Sequence, residues 1–105
     1  MALSYSYLTG QPSAVAQSIG RSIGQFERRY QSIKIGITSK PERRKAEHSK
    51  DGWSRMVVKY KTGSVRNANT IEKLFIEQRR ELTNEWPGFS NMPSPGPYFV
   101  YLLMK

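Results

Sequence analysis

The sequence contains no cysteine, which excludes both disulfides and thiolate metal sites. It is also poor in acidic residues, with 8 Asp and Glu against 17 Lys and Arg. No apolar run approaches the ~20 residues that a membrane-spanning helix requires. The opening residues, MALSYSYLTGQP, lack the basic and then apolar layout of a signal peptide. We therefore expect a cytoplasmic protein that does not associate with membranes.

The charge balance indicates a polyanionic partner. The formal net charge is +9 and the pI is about 10.1, and a balance of this kind favours nucleic acid. Composition alone leaves open a basic structural protein or an RNA binder of the ribosomal type. A chain of 105 residues has room for one domain with a modest core.

Periodicity divides the chain into alternating helices and strands. Residues 1–12 are predicted to form an extended arm, with a possible short strand at 5–8. Residues 13–30 are predicted to form an added N-terminal helix, because apolar residues recur at steps of three and four. Its interior glycines, Gly20 and Gly24, weaken a helix but permit close packing against a sheet. The predicted apolar stripe is Val15, Ile19, Ile23, Phe26 and Tyr30.

The remaining elements follow in a regular order. Strands are predicted at residues 32–38 and 53–62, and helices at 40–50 and about 68–84. The stretch 86–97 contains four prolines and two glycines, which predicts an irregular loop. The last run, YFVYLLM at 98–104, is short, apolar and preceded by proline, so it is predicted to be a buried strand.

The most informative stretch is residues 33–48, which read IKIGITSKPERRKAEH. Ser39 and Glu42 have the spacing of a capping box at the start of a helix. Arg44 and His48 are four residues apart, so they project from the same helix face. Lys34 alternates with two isoleucines and points away from them on a strand. Two cations and an imidazole brought together in this way suit an anion, and a phosphate in particular.

This stretch resembles the second motif of the GIY-YIG nuclease superfamily, in which a Y-I-G strand precedes a helix that carries an Arg and a His. Lys34-Ile35-Gly36 stands in the Y-I-G position, and Arg44 and His48 fall at the matching offsets. The K-I-G-x-T form resembles the branch of the superfamily found in phage and other small open reading frames. A phage-encoded protein of this kind would act in the cytoplasm of its host.

The G-I-Y strand of that superfamily has no counterpart before residue 33. Gly96-Pro97-Tyr98 at the other end of the chain resembles it, with Tyr101 as the competing tyrosine. The resemblance therefore implies a circularly permuted domain, which chain termini tolerate. The fold expected is α+β, with a small, three-stranded, mainly antiparallel sheet flanked by helices and its first strand supplied by the C-terminus.

The superfamily also places one metal-binding Glu on the helix after the third strand, and the resemblance puts it at Glu72. A single carboxylate suffices for Mg²⁺ or Mn²⁺, because water and substrate phosphate complete the shell. The alternative is structural, since Asn69 and Glu72 have capping-box spacing.

The resemblance implies a role for each remaining site residue. Tyr98 would contact or deprotonate the attacking water, with His48 as its relay or as a phosphate contact. Arg44 would clamp the phosphate, and Lys34 would act through its charge. Each has a simpler alternative: Tyr98 as core, Lys34 as an exposed strand residue, and Arg44 as the partner of Glu47 or Asp51. The candidate DNA contacts are Arg21, Arg28, Arg29, Arg43, Lys45 and Asn91.

The expected function is therefore a metal-dependent DNA endonuclease that nicks one strand, with a homodimer as a possible assembly. The main alternative is a catalytically inactive nucleic-acid-binding module on the same scaffold.

Overall fold

The computed structural model describes residues 2–78 and 96–105. Their elements, in chain order, are β1 (Ala2–Leu8), α1 (Pro12–Glu27), β2 (Ile33–Thr38), α2 (Pro41–Ser49), β3 (Arg55–Thr62), α3 (Val65–Gln78) and β4 (Tyr98–Met104). The predicted α+β class is confirmed. The sheet, however, has four strands and is mixed, whereas three were expected.

The strand that comes last in the sequence lies inside the sheet. The strand order is β1-β3-β4-β2, and β4 is antiparallel to both β3 and β2. The first strand, β1, pairs in parallel with β3 at one edge. Because β4 bonds to a strand on each side, the sheet depends on it for two ladders of backbone hydrogen bonds.

One face of the sheet is covered by α1 and α3, and we refer to it as the α1–α3 face. Helical periodicity in α1 and α3 and alternation in the strands bring their apolar residues into one core cluster. Its central members are Val15, Ile19, Ile23, Ile33, Ile35, Ile37, Val57, Ala68, Ile71, Phe75, Tyr98, Val100 and Leu102. The predicted stripe of α1 is confirmed, with Phe26 and Tyr30 packed against this cluster.

The opposite face carries a smaller cluster, and we refer to it as the α2 face. Its buried members are Met56, Val58, Tyr101 and Leu103. Leu3, Trp53 and Phe99 pack against this cluster while remaining partly buried. Helix α2 is polar, and its only buried residues are Pro41 and His48.

The sequence predicted an extended arm with a possible short strand at 5–8, whereas the strand is longer and covers Ala2–Leu8. Its residues pair with β3 from Ala2 opposite Arg55 to Tyr5 opposite Val58, and the register shifts before Leu8. The turn that follows is fixed to the sheet, since the Tyr60 hydroxyl donates a hydrogen bond to the Gly10 carbonyl. Gly10 has a positive φ of 117°, which a residue with a Cβ adopts only with strain.

The two α1 glycines differ in their surroundings. A Cβ at Gly20 would lie 3.4 Å from the Phe75 ring, so this glycine lets α1 approach α3 rather than the sheet. A Cβ at Gly24 would meet no atom within 4 Å in the described part of the chain.

Both predicted capping boxes are wrong. Helix α2 begins at Pro41 with Lys40 as its N-cap and no side-chain cap, while the Lys40 amide donates to the Thr38 hydroxyl. Helix α3 begins earlier than predicted, and the Asn67 amide donates to the Ser64 hydroxyl, which caps this helix. Among the described helices, none is long and apolar enough to cross a bilayer.

Candidate active site

The site forms where β2 and β4 pair on the α2 face. Gly36 of β2 lies directly opposite Tyr101 of β4. A Cβ on Gly36 would stand 2.5 Å from the Tyr101 hydroxyl oxygen and 2.6 Å from its Cζ. Since real side chains do not approach this closely, only glycine at position 36 leaves room for the phenol ring.

The phenol of Tyr101 reaches a histidine from α2. Its hydroxyl oxygen lies 3.2 Å from His48 Nε2, and both residues are buried. The two ring centroids are 5.9 Å apart, and the ring planes are inclined by 49° to each other. A buried phenol and imidazole at hydrogen-bond distance form a route along which a proton can pass.

The second nitrogen of the same imidazole faces a carboxylate. His48 Nδ1 lies 3.9 Å from Asp51 Oδ2, which is too long for a direct hydrogen bond and leaves an electrostatic influence. A nearby negative charge favours the tautomer with the proton on Nδ1, in which Nε2 accepts from the Tyr101 hydroxyl; in the other tautomer Nε2 donates to it. The sequence pattern offered Asp51 only as a possible partner of Arg44. Its position three residues after His48 is the signal that sequence reasoning missed.

Arg44 lies one helical turn before His48. Its Nη1 is 2.9 Å from Glu47 Oε2, and its side chain is 27% exposed. The pairing with Glu47 that the sequence offered as an alternative is therefore present. A guanidinium has five N–H donors, so Arg44 retains donors for an anion while it holds Glu47.

Lys34 approaches the site from the β2 edge strand. It pairs with Leu103 and is thus the diagonal neighbour of Tyr101 on the same face, about 7–8 Å away across the strands. Its Nζ lies 5.8 Å from the centroid of the Trp53 ring, and Lys105 Nζ lies 4.8 Å from the same ring. The predicted orientation of Lys34, away from the isoleucines of its strand, is confirmed.

The structure separates Tyr98 from His48. Tyr98 is buried in the cluster of the α1–α3 face, and Tyr101 is buried in the cluster of the α2 face. Residues three apart on a strand point to opposite faces. Of the two tyrosines, Tyr101 is therefore the one whose hydroxyl lies beside His48.

Glu72 is 3% exposed and lies within α3, next to Ile71 of the α1–α3 cluster. Because α3 packs on that face, the structure places Glu72 on the other side of the sheet from Tyr101 and His48. Since α3 begins at Val65, Glu72 cannot cap this helix. Three residues earlier, the Asn69 Oδ1 atom is buried with no hydrogen-bond partner within the described residues. These two oxygen donors fit a hard divalent cation chemically. Within the described ranges, no group of three or more His, Asp or Glu side chains is arranged to hold a metal ion.

Comparison with known proteins identifies the family. Residues 5–87 match the family described as the T5orf172 domain, which covers most of the chain. The chain belongs to the T5orf172 domain family. This phage-associated family is related to nuclease-type domains, which indicates a nuclease-like or DNA-binding module. No curated protein and no solved structure matches the chain.

The other candidate DNA contacts of this T5orf172 domain lie on two sides of the sheet. Arg43 and Lys45 are on α2 beside the site, and Arg43 Nε is 3.5 Å from Glu47 Oε1. Arg21 lies on α1, where its Nη2 donates to Ser18 Oγ. Arg28 and Arg29 are exposed just beyond the end of α1. Asn91 lies outside the described residues.

Outside this site, the pKa values of two described residues of the T5orf172 domain, Lys59 and Tyr5, are shifted. Burial, and secondarily the charge of Arg55, lower the pKa of Lys59. Partial burial, and secondarily the carboxylate of Glu42, raise the pKa of Tyr5. Neither residue was singled out by the sequence pattern, because burial of a strand lysine is not visible in periodicity.

The contact between Gly36 and Tyr101 predicts a non-additive pair of substitutions. Gly36→Ala should destabilise the T5orf172 domain by about 1–3 kcal/mol through overpacking, and by much less in a Tyr101→Ala background. Urea unfolding of the two single variants and the double variant measures the coupling. Gly24→Ala is the control, and it should be neutral or stabilising by up to ~1 kcal/mol. Additive effects of Gly36→Ala and Tyr101→Ala would contradict the contact.

Proposed function

We propose that this T5orf172 domain is a metal-dependent DNA endonuclease of the GIY-YIG type that nicks duplex DNA. The observation that carries the proposal is the distance of 3.2 Å between the Tyr101 hydroxyl and His48 Nε2. Tyr101 lies opposite Gly36, where a side chain would overlap the phenol. A buried phenol and imidazole next to an arginine supply both a proton path and an anion contact.

The proposal includes a circular permutation of the domain. In its support, β4 is antiparallel to β2, as a G-I-Y strand is to its Y-I-G strand in the superfamily that the sequence resembles. The family match ends at residue 87, before β4 begins. The C-terminal strand would thus supply the element that the matched region lacks. Tyr101, preceded by Phe99 and Val100, then takes the place of the G-I-Y tyrosine.

In the proposed reaction, Tyr101 orients and deprotonates the attacking water. The proton leaves through the hydroxyl of Tyr101 to His48 Nε2, which the charge of Asp51 keeps available as an acceptor. Because both side chains are buried, bulk water does not compete for this proton. Gly36 leaves the space that the phenol occupies, because a Cβ at this position would overlap the ring.

The cations stabilise the negative charge that develops on the phosphate. Arg44 would bind two phosphate oxygens through its planar guanidinium. To do so, Arg44 must bind the phosphate beside Glu47 or in its place. The ion pair between Arg44 and Glu47 is exposed and worth about 0–1 kcal/mol, so phosphate can easily replace it. Lys34 acts at longer range, through its charge, on Tyr101 and on the bound phosphate.

Glu72 is the proposed ligand of Mg²⁺ or Mn²⁺, with Asn69 as a second oxygen donor. An ion held there would supply Lewis-acid chemistry, and because α3 packs on the α1–α3 face it would lie across the sheet from Tyr101 and His48. The residues of the chain itself bind the phosphate and move the proton.

DNA is the proposed partner because the chain carries a net charge of +9. Cations lie on α2 and at the end of α1, so two sides of the sheet can contact phosphates. A homodimer that nicks each strand once is compatible with this arrangement. An inactive DNA-binding module on the same scaffold is the second candidate.

The two tyrosines provide a matched test of the catalytic assignment. Tyr101→Phe removes the hydroxyl that contacts His48, and it should lower nicking of supercoiled plasmid by about 100- to 10,000-fold. Tyr98→Phe removes a hydroxyl on the other face, and it should retain most of the activity. Both proteins are compared by plasmid nicking in Mg²⁺, with folding checked by circular dichroism. Greater loss in Tyr98→Phe would reverse the assignment.

A second pair of comparisons tests the metal ligand and the phosphate clamp. Glu72→Gln and Arg44→Ala should each reduce nicking by about 100- to 1,000-fold, as loss of a preorganised charge does elsewhere. Their controls are Glu77→Gln and Arg66→Ala, two exposed positions of α3 that should retain activity. Nicking at wild-type rates by folded Glu72→Gln and Arg44→Ala would reject these roles. A wild-type protein that binds DNA but nicks none of a range of substrates would favour the inactive module.

A further inference from the structure

Beside the candidate active site lies a cluster of two aromatic rings and one lysine, Tyr7, Lys61 and Phe99, which we refer to as the aromatic–lysine patch. The rings of Tyr7 and Phe99 meet edge to face, with centroids 6.4 Å apart and an interplanar angle of 75°. Lys61 Nζ lies 5.7 Å from the centroid of Tyr7 and 5.9 Å from that of Phe99. The patch thus holds a cation over two π faces.

The patch is accessible. Tyr7 is 40% exposed, whereas Phe99 and Lys61 are partly buried. A cleft of about 460 Å³ opens next to it, lined by Tyr7, Thr9, Gly10, Gln11, Lys61, Thr62, Gly63, Asn67 and Pro97. None of these described lining residues is acidic, so the cleft presents hydrogen-bonding groups, an aromatic ring and one positive charge.

The patch continues the candidate active site along the sheet. Phe99 and Tyr101 are two residues apart on β4 and face the same side, so they stand about 6.7 Å apart along the strand. Lys61 lies opposite Phe99 on β3. A strand of nucleic acid whose phosphate reached Tyr101 and His48 would therefore place its next unit over Phe99 and Tyr7.

We infer that the aromatic–lysine patch binds unpaired nucleotides next to the reacting phosphate, so that the substrate is DNA with a single-stranded segment, such as a fork or a flap. Aromatic side chains bind single strands by stacking on free base faces. In a duplex those faces are covered, because base pairs stack at 3.4 Å along the axis. Lys61 supplies the phosphate contact that accompanies such stacking. This inference rests on the proposed nuclease function and specifies its substrate.

The test is binding of labelled DNA in the absence of divalent metal, followed by fluorescence anisotropy. Wild type should bind a forked duplex about 5- to 100-fold more tightly than a blunt duplex of the same paired length, the range expected for stacking of one base. Tyr7→Ala should lose this preference while its affinity for the blunt duplex stays within about twofold, since the cations remain. Tyr7→Phe, which keeps the ring, should retain the preference.

Tyr5→Ala is the matched control. Tyr5 is an exposed tyrosine on the same strand, 49% accessible, and it makes no ring contact with another described residue. Equal affinity of wild type for the forked and blunt duplexes would overturn the inference. So would an equal loss of fork preference in Tyr5→Ala and Tyr7→Ala, or a uniform loss of affinity for all DNA in Tyr7→Ala.

The readout also separates this inference from the nuclease assignment, because binding is measured without cleavage. If the protein prefers forks through Tyr7 but cuts no DNA, the inference about the patch stands and the proposed nuclease activity is rejected. A protein that nicks plasmid through Tyr101 without any preference for forks would retain the activity and overturn the patch.

Discussion

The close approach of Tyr101 to Gly36 is the contact on which the site depends. It requires β4 to pair with β2 in one register, because a shift of one residue would turn Tyr101 to the opposite face. It requires glycine at position 36, because any Cβ would overlap the phenol. It also fixes where α2 must lie, since His48 is buried against the hydroxyl. Fold and candidate chemistry therefore share one steric requirement.

Much of this arrangement could be predicted from the sequence. The period of α1 identified its buried stripe, and the spacing of Arg44 and His48 placed them on one side of α2. The choice between Tyr98 and Tyr101 could not be predicted. YFVYLLM is buried on both faces, so no alternation of apolar and polar residues shows which tyrosine points to which face. Strand β1 was misread as an arm, although Leu3, Tyr5 and Tyr7 alternate with serines as in a half-buried edge strand.

The positive side chains of the chain differ in what lies next to them. Two acidic residues, Glu47 on α2 and Asp51 in the turn after it, lie against Arg44, Arg43 and His48. Both carboxylates are exposed, so in the proposed complex phosphates would replace them. Lys61 and Lys34 instead lie over aromatic rings, which leaves their charge uncompensated by carboxylates within the described residues. Lys61 lies on β3 opposite Phe99, and Lys34 lies on β2 diagonally across from Tyr101, so the two cations flank the candidate site on the α2 face.

The pH dependence of nicking with fluorotyrosine incorporated at a single position tests the central claim most directly. Fluorination makes a phenol more acidic while scarcely changing its size. If Tyr101 passes the proton to His48, fluorotyrosine at position 101 should move the acidic limb of the pH–rate profile to lower pH. Fluorotyrosine at position 98 should leave the profile unchanged. An unchanged profile at position 101, or an equal shift at position 98, would contradict the account.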